Sequence, residues 1–146
     1  MANRAVLAKR EHTMEPNTLL LVEDELLILE MLESELTEAG FKVVTANTGA
    51  QAFAELYDGA TELRAVITDI KLGAGADGWQ VSRRARELVP EMPILYLTGD
   101  SAQEWSSRGV PGSVLIAKPF VLAQVVTALA MLLNEADQRH AAMGGD

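Results

Sequence analysis

Five short apolar runs recur along this chain, each separated from the next by a segment with helical spacing, and four of them finish on charged or polar side chains. Those ends are Glu23 and Asp24, Asp69, Thr98 and Lys118. Strands that alternate with helices at short spacing predict a parallel sheet covered on both faces, with right-handed crossovers. In such a sheet the carboxyl ends of the strands share one edge, and ligands gather beyond it where the strand order reverses. Residues spread over a hundred positions are therefore expected to meet at one place.

The runs are read as follows. Thr18 to Val22 is a buried strand ending in Glu-Asp-Glu. From Leu26 to Ala39 the positions Leu29, Leu32, Leu36 and Ala39 keep helical spacing, and Gly40 suits a C-terminal cap. Phe41 to Ala46 is the second strand. Asn47 or Thr48 caps a helix that buries Phe53 and Leu56, with a turn at Asp58-Gly59. Ala65 to Thr68 is the third strand, ending at Asp69. A loop containing Gly73 and Gly75 leads to a helix with Val81, Ala85 and Leu88 on one face, stopped by Pro90. Ile94 to Leu97 is the fourth strand, ending at Thr98.

A short helix over Ala102 to Ser107 and a turn at Gly109 to Gly112 precede the fifth strand, Val114 to Ala117. The last helix spans about Phe120 to Asn134, with Leu122, Val125, Val126, Leu129, Leu132 and Leu133 on its buried side. The expected organisation is a flexible extension over residues 1–17, one domain over 18–134 and a polar tail over 135–146.

Composition removes several function classes. The 12 basic and 21 acidic residues give a formal charge of -9, which repels a phosphate backbone and argues against nucleic-acid binding. There are no cysteines, and the two histidines, His12 and His140, lie near opposite ends of the chain, so disulfides, thiolate sites and a zinc cluster are not expected. The apolar run Ala5 to Ala8 is too short for a signal peptide. Val121 to Leu133 falls short of the ~20 residues of a membrane span. A cytoplasmic protein without a membrane segment is predicted.

Val-Glu23-Asp24-Glu, Thr-Asp69-Ile, Asp77-Gly78, Leu-Thr98-Gly and Ala-Lys118-Pro119-Phe, in this order over residues Leu19 to Leu133, resemble the receiver domain of bacterial two-component response regulators. The resemblance implies a CheY-like, flavodoxin-like α/β fold, a doubly wound five-stranded parallel sheet of order 2-1-3-4-5. It implies that Asp69 accepts a phosphoryl group from a sensor histidine kinase or histidine phosphotransfer protein. It also implies Mg2+ held by Glu23, Asp24, Asp69 and the main-chain carbonyl of Lys71, and a Lys118-Pro119 peptide that is cis. The implied output is a switched surface of the fourth helix, fifth strand and fifth helix, read by a downstream protein or by a second copy in a homodimer.

The chemistry of these residue types agrees. A carboxylate is a nucleophile already ionised at neutral pH, although an aspartate at a strand end is more often a solvated loop residue. Here a second acidic pair arrives on the neighbouring strand. Glu23 and Asp24 fit magnesium, a hard cation that takes one or two carboxylates, and they also suit a helix N-terminus, the only role expected of Glu25. Thr98 is positioned to donate to a phosphoryl oxygen and Lys118 to pair with its charge.

Four departures from the family pattern stand out. Leu115 occupies the position of a usual aromatic residue, which leaves Tyr96 or helix movement to couple to Thr98. The loop from Asp69 to Asp77-Gly78 is one residue longer than the common pattern. Lys71 adds a second cation beside the site, and the segment between Thr98 and Lys118 is short, which predicts a stunted fourth helix containing Trp105, expected in the core.

No output domain is expected after the fifth helix, so a stand-alone receiver in a phosphorelay is predicted, with a fragment of a larger regulator as the alternative. Such a protein is its own substrate rather than a turnover enzyme. Two rivals are a receiver-like interaction module that is never phosphorylated and an aspartate-nucleophile phosphohydrolase. The hydrolases generally place a second aspartate two residues after the nucleophile, where this chain has Lys71.

Overall fold

The structure, a computed structural model, describes residues 17–144. The elements are β1 (Thr18–Val22), α1 (Leu26–Glu38), β2 (Lys42–Ala46), α2 (Gly49–Gly59), a 3₁₀ turn (Ala60–Glu62), β3 (Ala65–Asp69), α3 (Gly78–Leu88), β4 (Ile94–Thr98), a 3₁₀ turn (Ala102–Glu104), α4 (Trp105–Arg108), β5 (Val114–Ala117) and α5 (Leu122–Gly144). All strand pairs are parallel and the order is β2-β1-β3-β4-β5, as expected. The three central strands are buried at every residue, which is why they read as unbroken apolar runs.

Alternation along those strands builds two cores. Leu19, Leu21, Ile67, Leu95 and Leu97 pack against Leu29, Leu32 and Leu36 of α1 and Val125, Leu129, Leu132 and Leu133 of α5. Leu20, Val22, Val66, Ile94 and Tyr96 face the other way, against Ala52 and Leu56 of α2 and Trp79, Val81 and Ala85 of α3. At the end of α1, Gly40 takes φ +103°, the left-handed cap conformation that only glycine adopts cheaply.

The structure corrects four expectations from the sequence. Phe53 is exposed, because the inward stripe of α2 is Gly49, Ala52 and Leu56, and Phe53 lies about 100° round the helix from Ala52. Leu88, the last residue of α3, is also exposed. Trp105 is 36% exposed, its indole nitrogen donating to Ser113 Oγ at 2.9 Å.

The fourth correction concerns the polar tail. The helix does not stop at Asn134 but continues through Gly144. Its polar extension is tied down by Arg64, which grips both carboxylate oxygens of Asp137 at 2.8 and 2.7 Å, and by Arg139 with Glu91 at 3.3 Å. The extension predicted over residues 1–17 lies outside the described residues except Asn17, whose carbonyl accepts from the Lys42 N–H at 2.9 Å.

Thr48, one of the two expected caps, accepts from the Gln51 N–H at 3.0 Å. The Asp77-Gly78 pair has two separate jobs. Asp77 caps α3 in a reciprocal box with Gln80, each side chain accepting from the other's backbone N–H at 3.0 Å. Gly78 donates to the Ile70 carbonyl at 2.7 Å and packs so closely that a Cβ there would collide with the Asp69 carbonyl oxygen and Ile70 Cα, both backbone.

Urea denaturation is expected to separate these jobs. Asp77→Ala should cost ~1 kcal/mol, the usual loss of a cap. Gly78→Ala should cost about 2–3 kcal/mol, because the backbone that carries Asp69 must move. Equal losses would show that the close approach at Gly78 does not constrain the strand end.

Candidate functional site

Strand register fixes which side chains meet. Val22 lies opposite Thr68, so Glu23 and Asp69 come next to each other at the carboxyl edge. Asp69 lies opposite Leu97, and Thr98 opposite Ala117, so Thr98 and Lys118 complete the row. The Lys118 N–H donates to the Thr98 carbonyl at 2.7 Å, and the Lys118-Pro119 peptide is cis. All the residues singled out in the sequence converge, and a cleft of about 370 Å³ is lined by Asp24, Glu25, Asp69, Lys71, Thr98, Gly99, Asp100 and Lys118. Glu23 lies behind it, fully buried.

Asp69 occupies the buried floor. One carboxylate oxygen accepts from its neighbour's backbone, the Ile70 N–H, at 2.7 Å, and the other lies 3.0 Å from Lys118 Nζ. The same ammonium lies 3.4 Å from Glu23 Oε1 and 3.9 Å from Glu25 Oε1. Glu25 thus differs from its expected role. It holds the N-cap position of α1 without a side-chain cap bond, and its carboxylate leans towards Lys118 instead.

Glu23, Asp24 and Asp69 each present a carboxylate oxygen, all within 4.8 Å of one another. Among the described residues no other group of acidic or histidine side chains comes together in this way. The donors are all hard oxygens, on a strand edge with one half-buried lysine, Lys118, to offset them. That set fits a magnesium-like divalent cation, which would relieve the repulsion among the carboxylates.

Thr98 is 1% exposed, and its hydroxyl oxygen accepts from the Ser101 N–H at 2.7 Å and the Asp100 N–H at 3.3 Å. The hydroxyl therefore keeps a proton to donate while fastening the first turn after β4. That turn was not singled out in the sequence, although threonine at the start of the Thr98-Gly-Asp-Ser101 segment is one of the residue types whose hydroxyl can hold a following turn. Beneath it, the ring of Tyr96 is fully buried against Trp79, with centroids 4.9 Å apart. Its hydroxyl bonds Ser82 Oγ at 2.5 Å and accepts from the Val110 N–H at 3.1 Å.

The short α4 matches the stunted fourth helix expected from the chain length there. Leu115, in place of the usual aromatic residue, is half-buried beside the Tyr96 cluster. Lys71 lines the cleft but turns to Asp100, with Nζ 2.9 Å from Oδ2.

Electrostatics mark Glu23 as the strained group. Burial pushes its carboxyl up from 4.5 to about 7, and the negative Asp69 adds to the shift, while the Glu25 N–H and Lys118 partly oppose it. For Lys118, burial acts to lower the pKa, but the bond to Asp69 and the field of Asp69 and Glu23 outweigh it and leave it raised, so its charge persists through neutral pH.

The folded-state value of Glu23 lies above its unfolded value. The native protein therefore retains a proton that the unfolded chain has released between pH 4.5 and about 7. Stability of the metal-free protein is expected to fall as pH rises through that window. Thermal melts in a chelator should show the fall in wild type and a flatter profile in Glu23→Gln; parallel profiles would remove Glu23 as the cause.

Comparison with known proteins agrees with this geometry. The family model for the response regulator receiver domain matches residues 19–130. Transcriptional regulatory protein CusR of Escherichia coli is 35% identical over 118 residues, 80% of this chain and 51% of CusR. Response regulator receiver protein CpdR of Brucella abortus is 30% identical over 117 residues, 79% of this chain and 95% of CpdR. The chain spans about half the length of CusR and of other transcriptional regulatory proteins it matches.

A crystal structure of a response regulator receiver protein from Sinorhizobium medicae superposes with a TM-score of 0.77 at 49% identity, covering 80% of this chain and 94% of that one. Receiver domains take phosphoryl groups from histidine kinases and act as signalling modules rather than turnover enzymes, and no described helix is long and apolar enough to cross a membrane. By sequence, fold and the arrangement at its strand ends, this chain belongs to the response regulator receiver domain family.

Proposed function

We propose that Asp69 is the phosphoryl acceptor of a two-component phosphorelay, supplied by a histidine kinase or phosphotransfer protein. The observation that carries this reading is the placement of Asp69, 3.0 Å from Lys118 Nζ and within 4.8 Å of the Glu23 and Asp24 oxygens, on the floor of an open cleft. Glu23, Asp24, Asp69 and the main-chain carbonyl of Lys71 would hold Mg2+, which neutralises charge on the carboxylates and on an incoming phosphoryl group.

A carboxylate oxygen of Asp69 forms the bond to phosphorus as the bond from phosphorus to the donor histidine breaks. Lys118 pairs with the charge that arrives, and the hydroxyl proton of Thr98 serves a phosphoryl oxygen. Little else is needed, because this chemistry depends on position and charge neutralisation.

Thr98 carries the event outward. When its hydroxyl turns to the phosphoryl group, the Ser101 and Asp100 N–H groups lose their shared acceptor, and the 3₁₀ turn leading into α4 shifts its population. The face of α4, β5 and α5 is the surface a downstream protein or a second copy would read. CusR bears the name of a transcriptional regulatory protein, and this chain corresponds to about half of it, so the reading assigns only the receiving step to these residues. The excess of acidic residues agrees with an output that is not direct nucleic-acid contact. Phosphohydrolase chemistry is disfavoured by Lys71, which stands where an acid-base carboxylate would be needed.

Incubation with a small acyl phosphate and Mg2+, followed by intact-protein mass measurement, should give one phosphoryl adduct. Asp69→Asn or a chelator should abolish it. Adduct formation unchanged in Asp69→Asn would reject the assignment, and an adduct indifferent to chelation would reject the metal.

A further inference from the structure

Tyr96 and Thr98 lie two residues apart on β4, and the alternation of a strand turns both side chains to the same face. Each holds one end of the segment that follows. Thr98 Oγ1 accepts from the Asp100 and Ser101 N–H groups at its start, and the Tyr96 hydroxyl accepts from the Val110 N–H at its end, 3.1 Å away. The two holds differ in what can compete for them. Thr98 lines the cleft, where a phosphoryl group would draw its hydroxyl away, whereas Tyr96 is fully buried and its hydroxyl bonds Ser82 of α3 and the Val110 backbone.

The chain from Trp105 to Ser113 is stitched to that buried hydroxyl. Trp105, the first residue of α4, donates its indole N–H to Ser113 Oγ at 2.9 Å, and Ser113 Oγ donates to the Val110 carbonyl at 2.6 Å. Gly109 lets the indole close over the backbone, since a Cβ there would collide with the Trp105 ring. Residues 105–113 therefore form one block, fastened to the sheet through Val110. The preceding turn is held differently: Ala102, Gln103 and Glu104 are exposed, and the Glu104 N–H donates to the carbonyl of Ser101, whose own N–H is held by Thr98.

We propose that Tyr96 is a stop on the switch, a positioning residue whose hydroxyl keeps α4 docked while a phosphoryl group on Asp69 releases the turn over residues 99–104. The proposal rests on the reading of Asp69 as acceptor, and it fixes which part of the surface answers phosphorylation. A partner would sense the exposed Ala102–Glu104 turn rather than a displaced α4. A neutral hydrogen bond is worth roughly two- to tenfold in an equilibrium, enough to confine the movement when one of the two holds is given up.

The test uses the full chain with Mg2+ and beryllium fluoride, which bonds to a carboxylate oxygen in place of a phosphoryl group, and reads hydrogen exchange at single amides by NMR. In wild type the reagent should speed exchange at Asp100 and Ser101 by about fivefold or more and leave Gly109 and Val110 within about twofold. In Tyr96→Phe, which keeps the ring, Val110 should exchange roughly two- to tenfold faster before the reagent is added, and the reagent should then speed Gly109 and Val110 along with Ser101. Ser82→Ala removes a bond of the same hydroxyl but leaves the one to Val110, so it should keep the wild-type pattern. A merely structural role would lower the melting temperature of both variants without changing where the reagent acts.

Val110 exchange that rises in wild type as much as Ser101 exchange would overturn the stop, with no variant required. So would a response of Tyr96→Phe confined to Asp100 and Ser101. Equal responses in wild type and Asp69→Asn would instead reject the acceptor reading, and the stop with it.

Discussion

One ammonium group holds this site together. Lys118 lies within 3.0 to 3.9 Å of Asp69, Glu23 and Glu25, and the row of strand ends would otherwise gather negative charge with nothing to offset it. Burial makes the arrangement costly as well as necessary. Removing one member of this bonded charge group leaves the others uncompensated, and burial, with the negative Asp69 adding to it, already holds the Glu23 carboxyl well above its usual range. Three carboxylates facing one ammonium leave a surplus of negative charge that suits a divalent cation.

The rest of the fold serves to make that imbalance sustainable. Strand register brings Glu23, Asp69 and Lys118 together, and the loops behind them are fastened by backbone contacts rather than by more charge. Gly78 lies against the Asp69 carbonyl, the Ile70 N–H holds one Asp69 oxygen, and the Ser101 N–H is fixed by Thr98. On the far side, the Tyr96 hydroxyl joins α3, through Ser82, to the backbone of Val110 beyond α4. Arg108 of α4 sits 5.7 Å from the centre of the Trp79 ring and 3.9 Å from Asp77. A helix of only four residues is thus anchored by its neighbours, since its own backbone bonds are too few to hold it.

What was legible in the sequence follows from how local each determinant is. The strands were readable because burial on both faces demands continuous apolar runs, and parallel pairing then brought their ends together without further information. Phe53 and Leu88 were misread because spacing shows that a helix has an apolar side but not how far the core extends beneath it. In α2 the small Ala52 takes the inward position. Residues 135–144 looked like tail because they carry no apolar stripe to continue that of α5, although their Ala, Glu, Gln, Arg and Met are good helix formers, and their anchors lie far away, Arg64 for Asp137 and Glu91 for Arg139. The Lys71–Asp100 pair was invisible for the same reason, its partners being 29 positions apart.

Burial also divides the labour at the site. Groups on the floor interact strongly, since little water screens them, and a change there disturbs folding together with chemistry. Groups on the rim, such as the Lys71–Asp100 pair, are screened and weakly held, so exchanging them costs the fold little. This chain fills its rim with a lysine and an aspartate that satisfy each other, so their charges cancel at the mouth while the carboxylates behind them remain available to a cation.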